Sequence, residues 1–292
     1  MDAADDDPFV MVLGTAQDAG YPQAGCRKAC CKPALTDPSL RRFATSLAIV
    51  DPNTDQRWLL DCTPDFREQL QLLDRESPLS KPGLDGILLT HAHIGHYSGL
   101  VHLGREAMGT KAVPVFAMPR MQKFLRENGP WSQLVKLQNI EIKPLINKQQ
   151  IQLNDRISVT PLQVPHRDEF SETVGFVVQG PSRSILFLPD IDKWNKWKTP
   201  IEKVLKSVDL AYVDGTFFAN GEIPGRDMSL IPHPFIEESL ARFAKIPKAD
   251  RAQIRFIHLN HTNPALDANS AATRSIESIG LKVATQGERE SL

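Results

Sequence analysis

The stretch that most limits what this chain can fold into is Thr90-His91-Ala92-His93-Ile94-Gly95-His96, which leaves the apolar run Gly86-Ile87-Leu88-Leu89. That run is short and aliphatic and is led in by Pro82-Gly83, the pattern of a buried strand. Packing is a poor explanation for three histidines leaving a buried strand so close together. Imidazole is a common metal ligand at neutral pH, and the alternating His91 and His93 can aim two nitrogens at one point. His96 falls where the next helix, expected over 97–108, begins, so it approaches from another direction. A histidine-rich surface turn is the competing reading, and the scarcity of histidine, eight in 292 residues, weighs against it. The segment reads as a metal site.

The pattern Thr-His-x-His-x-Gly-His, followed by Ser98-Gly99-Leu100, resembles the His-x-His-x-Asp-His motif of the metallo-β-lactamase superfamily. The resemblance implies an αββα sandwich, α/β in class, with one or two metals at the upper edge of its sheets. The departure is Gly95, which stands where the family's aspartate binds the second metal. Glycine has no donor to offer, so the second position is expected to lack a ligand and to fill weakly.

Length and composition set the outer bounds. A chain of 292 residues that is 41% hydrophobic can bury one large two-layer core, and a single domain over 1–292 is expected, with residues 1–8 flexible. Its 34 basic and 35 acidic residues leave a net charge of −1, so no global field would hold nucleic acid or a membrane surface. The expected partner is a small-molecule substrate; oligomeric state is not readable. No apolar stretch is long enough to span a bilayer, and the acidic start lacks a signal-peptide core. A cytoplasmic protein is expected, or a periplasmic or secreted one if a leader has been removed.

Further along the chain, the loop Gly14-Thr15-Ala16-Gln17-Asp18-Ala19-Gly20-Tyr21-Pro22-Gln23 ends a first strand, as either a substrate-contacting loop or a plain turn. Cys26, Cys30 and Cys31 follow, with Cys62 isolated. A local odd cluster is a poor disulfide framework but suits a tetrahedral structural zinc that needs one more ligand. His261 is placed to supply it, so that Cys26, Cys30, Cys31 and His261 share one zinc; the weak point is that turning adjacent Cys30 and Cys31 both inward strains a short loop and could leave one of them out. Cys62 reads as a small buried hydrophobe, and His102 as a surface or groove histidine. Lys193-Trp194-Asn195-Lys196-Trp197-Lys198 reads as a cap with packed indoles, against the alternative of a base-stacking platform.

The superfamily resemblance then assigns roles by position. It implies that His166, at a strand end, is the third metal histidine and that Asp190 is the bridging aspartate, with Asp192 a more distant competitor. It makes His258 the final metal histidine and has Asp61 brace the histidine loop. His91, His93 and His166 with Asp190 would hold one metal, and His96 and His258 a second that shares Asp190. His233-Pro234 opens a helix. Charge–dipole repulsion there would depress the imidazole pKa, leaving His233 as either a catalytic donor to substrate or an ordinary cap.

Two branches of the superfamily share more. Gly20-Tyr21-Pro22-Gln23, Asp214-Gly215-Thr216-Phe217 and His258-Leu259-Asn260-His261-Thr262-Asn263-Pro264 resemble the pyrroloquinoline quinone (PQQ) biosynthesis protein B family. The cysteine cluster with His261 looks like that of the carbon–phosphorus lyase pathway phosphodiesterase, where a structural zinc sits. That family spaces its cysteines Cys-x-Cys-x-x-Cys; here Lys28 takes the middle place and Cys30 is extra. The implied function is metal-dependent hydrolysis of a phosphodiester or other ester-type bond, using one or two divalent ions (zinc first, iron or manganese next). The alternatives are an iron-dependent oxidative enzyme acting on a quinone-cofactor precursor, and a non-catalytic metal or small-molecule binder.

Overall fold

A computed structural model describes residues 7–78, 80, 83–248 and 252–292; Pro82 and, of the start expected to be flexible, residues 1–6 lie outside that set. The first strands are rich in β-branched and aliphatic residues, which favour a pleated, buried surface. β1 (Phe9–Gly14) pairs antiparallel with β2 (Ser46–Asp51), and β2 forms a hairpin with β3 (Gln56–Leu60), Leu47 opposite Leu60. β3 then runs parallel to β4 (Gly86–Leu88), β4 to β5 (Val113–Ala117), and β5 to β6 (Ile140–Pro144). Parallel neighbours need crossover connections, and helices supply them. α2 (Phe66–Glu76) joins β3 to β4; α4 (Pro119–Glu127) and α5 (Trp131–Lys136) join β5 to β6.

The second sheet repeats this logic. β7 (Ile151–Gln152), β8 (Ser158–Val164), β9 (Thr173–Gln179) and β10 (Ser184–Leu188) form an antiparallel ribbon. β10, β11 (Leu210–Asp214), β12 (Gln253–Ile257) and β13 (Lys282–Val283) are parallel. α6 (Ile201–Leu205), α7 (Ile236–Phe243) and α8 (Ala271–Ser278) cross between them. β10 and β11 are buried along their whole length, as strands covered on both faces must be.

Val10, Val12, Ile49, Trp58 and Leu60 of the first sheet meet Phe176, Val178, Ile185, Phe187 and Tyr212 of the second in a core between the sheets. Phe66, Leu73, Leu100 and Met121 cover the outer face of one sheet, and Trp194, Ile236, Phe243 and Ile276 that of the other. The arrangement is an αββα sandwich, the metallo-β-lactamase fold. Truncating a core ring such as Phe187 to alanine would cost about 3–5 kcal/mol.

Some local expectations need correcting. The helix expected over 97–108 is instead α3 (Ile94–Tyr97) and a 3₁₀ turn, Ser98–Leu103. Gly99 lies so close to the chain below that a Cβ there would stand 2.1 Å from the Thr63 carbonyl oxygen. Two short helices, α1 (Lys32–Thr36) and α6, and the edge strand β14 (Arg289–Ser291) were not anticipated. β14 pairs with β1, Phe9 opposite Ser291, and carries no apolar alternation because it caps a sheet edge. The tryptophan segment is a cap: Trp194 Nε1 donates to Ser239 Oγ at 2.8 Å and Trp197 Nε1 to the Gln163 carbonyl at 3.0 Å, with both rings buried. No helix among the described residues is long and apolar enough to cross a membrane.

Candidate metal centre

Polar side chains gather where several strands of both sheets end at one edge. His91 and His93 follow β4 and His96 sits in α3; His166 follows β8, Asp190 follows β10, and His258 follows β12. Asp190, which is 2% exposed, stands at the centre. Its Oδ2 lies 3.7 Å from His91 Nε2, 2.9 Å from His96 Nε2 and 3.3 Å from His258 Nε2. Its Oδ1 lies 3.7 Å from His166 Nε2 and 3.5 Å from His233 Nδ1. Donor atoms of His91, His93 and His166 lie within 4.8 Å of one another, as do those of Asp18, His96 and His258. The structure therefore brings together every histidine and aspartate picked out for this centre, in two groups flanking one carboxylate.

A second layer of polar groups fixes the rings. Asp61 accepts from the Thr90 backbone N–H at 2.8 Å, the Thr90 hydroxyl at 2.9 Å and His96 Nδ1 at 2.7 Å. With its proton given to Asp61, the Thr90 hydroxyl is free to accept from His91 Nδ1 at 3.0 Å. Asp214 does the same on the other side, accepting from the Thr216 hydroxyl and His233 Nδ1, each at 2.7 Å. Thr216 Oγ1 then accepts from His258 Nδ1 at 2.9 Å. For His91, His96 and His258 this puts the proton on the outer Nδ1 and turns Nε2 toward the cluster. Asp61 and His258 hold left-handed backbone, φ 67° and 66°, a conformation that costs a non-glycine residue about 1–2 kcal/mol.

The donor set fits a divalent cation. Asp18 Oδ1, His96 Nε2, both nitrogens of His166, Asp190 Oδ2 and His258 Nε2 are sealed from solvent without a hydrogen-bond partner. Even the 2.9 Å approach of His96 Nε2 to Asp190 Oδ2 lacks hydrogen-bond geometry. An unsatisfied buried polar atom costs about 1–3 kcal/mol, so a cluster of them marks a place for an ion. Among the described residues, no Lys or Arg pairs with Asp18 or Asp190. Burial would raise the Asp190 pKa, but the imidazoles of His258, His96 and His166 hold it well below the usual carboxylate range. Burial lowers the His91 pKa well below normal and brings that of His166 down to about 4, keeping both rings neutral and ready to ligate.

His233 departs from the sequence reading. It precedes α7, whose N-cap is Phe235, and burial does disfavour its charge, but the Asp214 carboxylate 2.7 Å away outweighs this and raises its pKa. A full countercharge in contact beats a partial helix dipole. Asp192 lies off the cluster, bound to the Lys193 backbone N–H and to Lys196 Nζ. His102 stacks on Phe66 with ring centroids 5.8 Å apart, and Cys62 is fully buried.

Sequence reasoning missed Asp18. The loop after β1 carries it to 3.4 Å from His96 Nε2 and 3.9 Å from His258 Nε2. An aspartate in a strand-end loop, beside a motif short of one carboxylate, was the available signal.

Behind that loop, the four donor atoms of Cys26, Cys30, Cys31 and His261 lie within 4.8 Å of one another. Cys26 Sγ is 3.8 Å from Cys30 Sγ, and His261 Nδ1 is 3.6 Å from Cys30 Sγ and 3.3 Å from Cys31 Sγ. Both adjacent cysteines turn inward, toward His261. The start of α1, with Cys31 at its N-cap, reverses the chain between them, and Tyr21 Oη braces the Cys30 carbonyl at 2.8 Å. Three sulfurs and one imidazole nitrogen are a tetrahedral zinc set.

Known proteins share this fold. The family described as "Beta-lactamase superfamily domain" matches residues 56–259. "Coenzyme PQQ synthesis protein B" from Xanthomonas campestris pv. campestris is 26% identical, over 97% of this chain and 99% of its own. The same-named protein of Methylococcus capsulatus is 25% identical over 96% and 98%. Among solved structures, zinc-bound PqqB from Methylobacterium extorquens superposes with a TM-score of 0.82 at 23% identity, covering 97% of this chain and all of its own. A diphosphatase of the PhnP family superposes at 0.68 with 22% identity, covering 98% and 97%.

Proposed function

The chain belongs to the β-lactamase superfamily, and from that premise we propose that it is a metal-dependent hydrolase of a phosphodiester or other ester-type bond. The observation that carries this reading is the convergence of unpartnered buried imidazole nitrogens on Asp190. His91, His93 and His166 would hold a first divalent ion and His96 and His258 would hold a second, with Asp190 between them. An ion held there would supply the chemistry that lowers the pKa of a water and polarises the scissile oxygen.

The chain's own residues do the rest. Asp61, Thr90 and Thr216 fix the ring orientations of His96, His91 and His258 before substrate arrives. His93 and Asp18, whose side chains are 17% and 31% exposed, are where solvent reaches the cluster, so water and substrate enter there. His233, its Nδ1 proton held by Asp214 and its charged form favoured by that carboxylate, would carry a second proton on Nε2 and pass that one to the leaving oxygen. Cys26, Cys30, Cys31 and His261 would hold a structural zinc with no part in the reaction.

Similarity to PQQ synthesis protein B over nearly the whole chain favours one further reading, in which the same centre, holding iron, oxidises a quinone-cofactor precursor. Purified protein loaded with zinc, manganese or iron and given a phosphodiester, lactone and thioester panel tests the first reading. Chelator-sensitive hydrolysis is expected with zinc or manganese. Absence of turnover on the whole panel, with oxygen consumption by the iron form, would replace hydrolysis with oxidation.

A further inference from the structure

Gly95 looks like a defect in the motif, yet the space beside it is filled. A Cβ on Gly95 would stand 2.1 Å from Asp18 Oδ1 and 2.5 Å from Asp18 Cα. The region that a residue-95 side chain would enter thus already holds a carboxylate from another part of the chain. That carboxylate oxygen is buried, has no hydrogen-bond partner, and faces the equally unpartnered Nε2 atoms of His96 and His258.

The loop is held there by backbone bonds that do not depend on Asp18. Gln17 N–H donates to the Leu259 carbonyl at 2.9 Å, Leu259 N–H to the Thr15 carbonyl at 2.8 Å, and Gly20 N–H to the Gln17 carbonyl at 2.8 Å. Asp18 therefore sits on a tight turn pinned to the residue that follows His258. Its side chain points inward, with Oδ1 sealed from solvent.

We infer that Asp18 supplies from the loop after β1 the carboxylate that the motif lacks at Gly95, completing a second ion site of Asp18, His96, His258 and the shared Asp190. This inference rests on the proposed metal centre and adds a ligand to it. It also reverses the expectation that the second position is a ligand short. Gly95 is required because the loop could not approach over a side chain, and Gly95→Asp would displace Asp18 instead of adding a donor.

Manganese is the probe, since carboxylate and imidazole bind it while thiolates prefer softer ions. Titration of Mn²⁺ into the full-length metal-free protein, read by electron paramagnetic resonance of the free ion, counts sites without any activity assay. Wild type is expected to bind two ions. Asp18→Asn, nearly equal in volume, is expected to bind one at unchanged affinity and the other at least about tenfold more weakly. Asp18→Ser repeats the test without an amide, and melting temperatures of the metal-free proteins report whether each variant folds. Two ions bound by both variants at wild-type affinity would overturn the role of Asp18 and leave the centre intact. Fewer than two ions bound by wild type would overturn the two-ion centre itself, and the inference with it.

Discussion

His258 and His261 are three residues apart, yet they belong to clusters built on opposite principles. The histidine–aspartate centre takes its donors from the ends of strands already fixed by both sheets, and Asp61 and Asp214 orient its rings by hydrogen bonds. The cysteine cluster takes three of its four donors from one loop segment between β1 and β2, braced mainly by the Tyr21 hydroxyl on Cys30 and by backbone turns. The first is organised before any ion binds, so an ion there adds chemistry. The second has little to hold it without an ion, so an ion there adds stability. Nearness in sequence does not decide function; what fixes the donors does.

The contrast can be broken most sharply at Asp190. Asp190→Ala should lose metal from the centre and about 10³-fold or more in turnover, since several kcal/mol of charge stabilisation goes with it. Its melting temperature should stay near wild type after metal removal from both proteins. An Asp190→Ala protein with full metal content would end the assignment. His261→Ala should do the reverse: release one zinc and lower the melting temperature by about 5–10 °C, as loss of a few kcal/mol does in a chain of this size. The contact it removes closes a loop with |i−j| of 230, a long-range tie between the first strands and the last. Retained zinc and stability with turnover abolished would show that His261 and His258 have exchanged roles.

Smaller changes sharpen the same distinction. Asp61→Asn keeps the shape but loses the charge that holds His96, and should weaken metal binding about 10–100-fold with little effect on the cysteine cluster. A chelator-competition titration that finds unchanged affinity would make Asp61 a packing residue. The smallest effect belongs to Cys62→Ala, which should cost about 1 kcal/mol in denaturant unfolding and leave both metal counts unaltered. Zinc loss in that variant would mean that Cys62, though buried and distant in sequence, belongs to the thiol cluster after all.

What the sequence revealed follows the range of the forces involved. The histidine motif was legible because a buried strand and three imidazoles lie within one short stretch. The five-residue strands β10 and β11 each show in the sequence as an apolar run, because both of their faces are buried. The break after Tyr97 was not legible, since the Gly99 N–H is taken by the Cys62 carbonyl, from a segment well before it. Nor was the state of His233, where Asp214 prevails over the helix start. Asp18 was hidden for the same reason: its meaning depends on a close approach to Gly95 that only the folded chain brings about. β14 left no trace because an edge strand needs only backbone partners.

The pinning of the β1 loop to Leu259 also sets an order of events during synthesis. His91, His93, His166 and Asp190 have all been made two residues after β10 ends, so the first group of donors can assemble on a nascent chain. The second group must wait for β12, because His258 is among the last donors made and Leu259 supplies the backbone bonds that seat Asp18. A chain truncated after β11 would therefore carry the loop and half of the centre without the Leu259 bonds that help to seat Asp18.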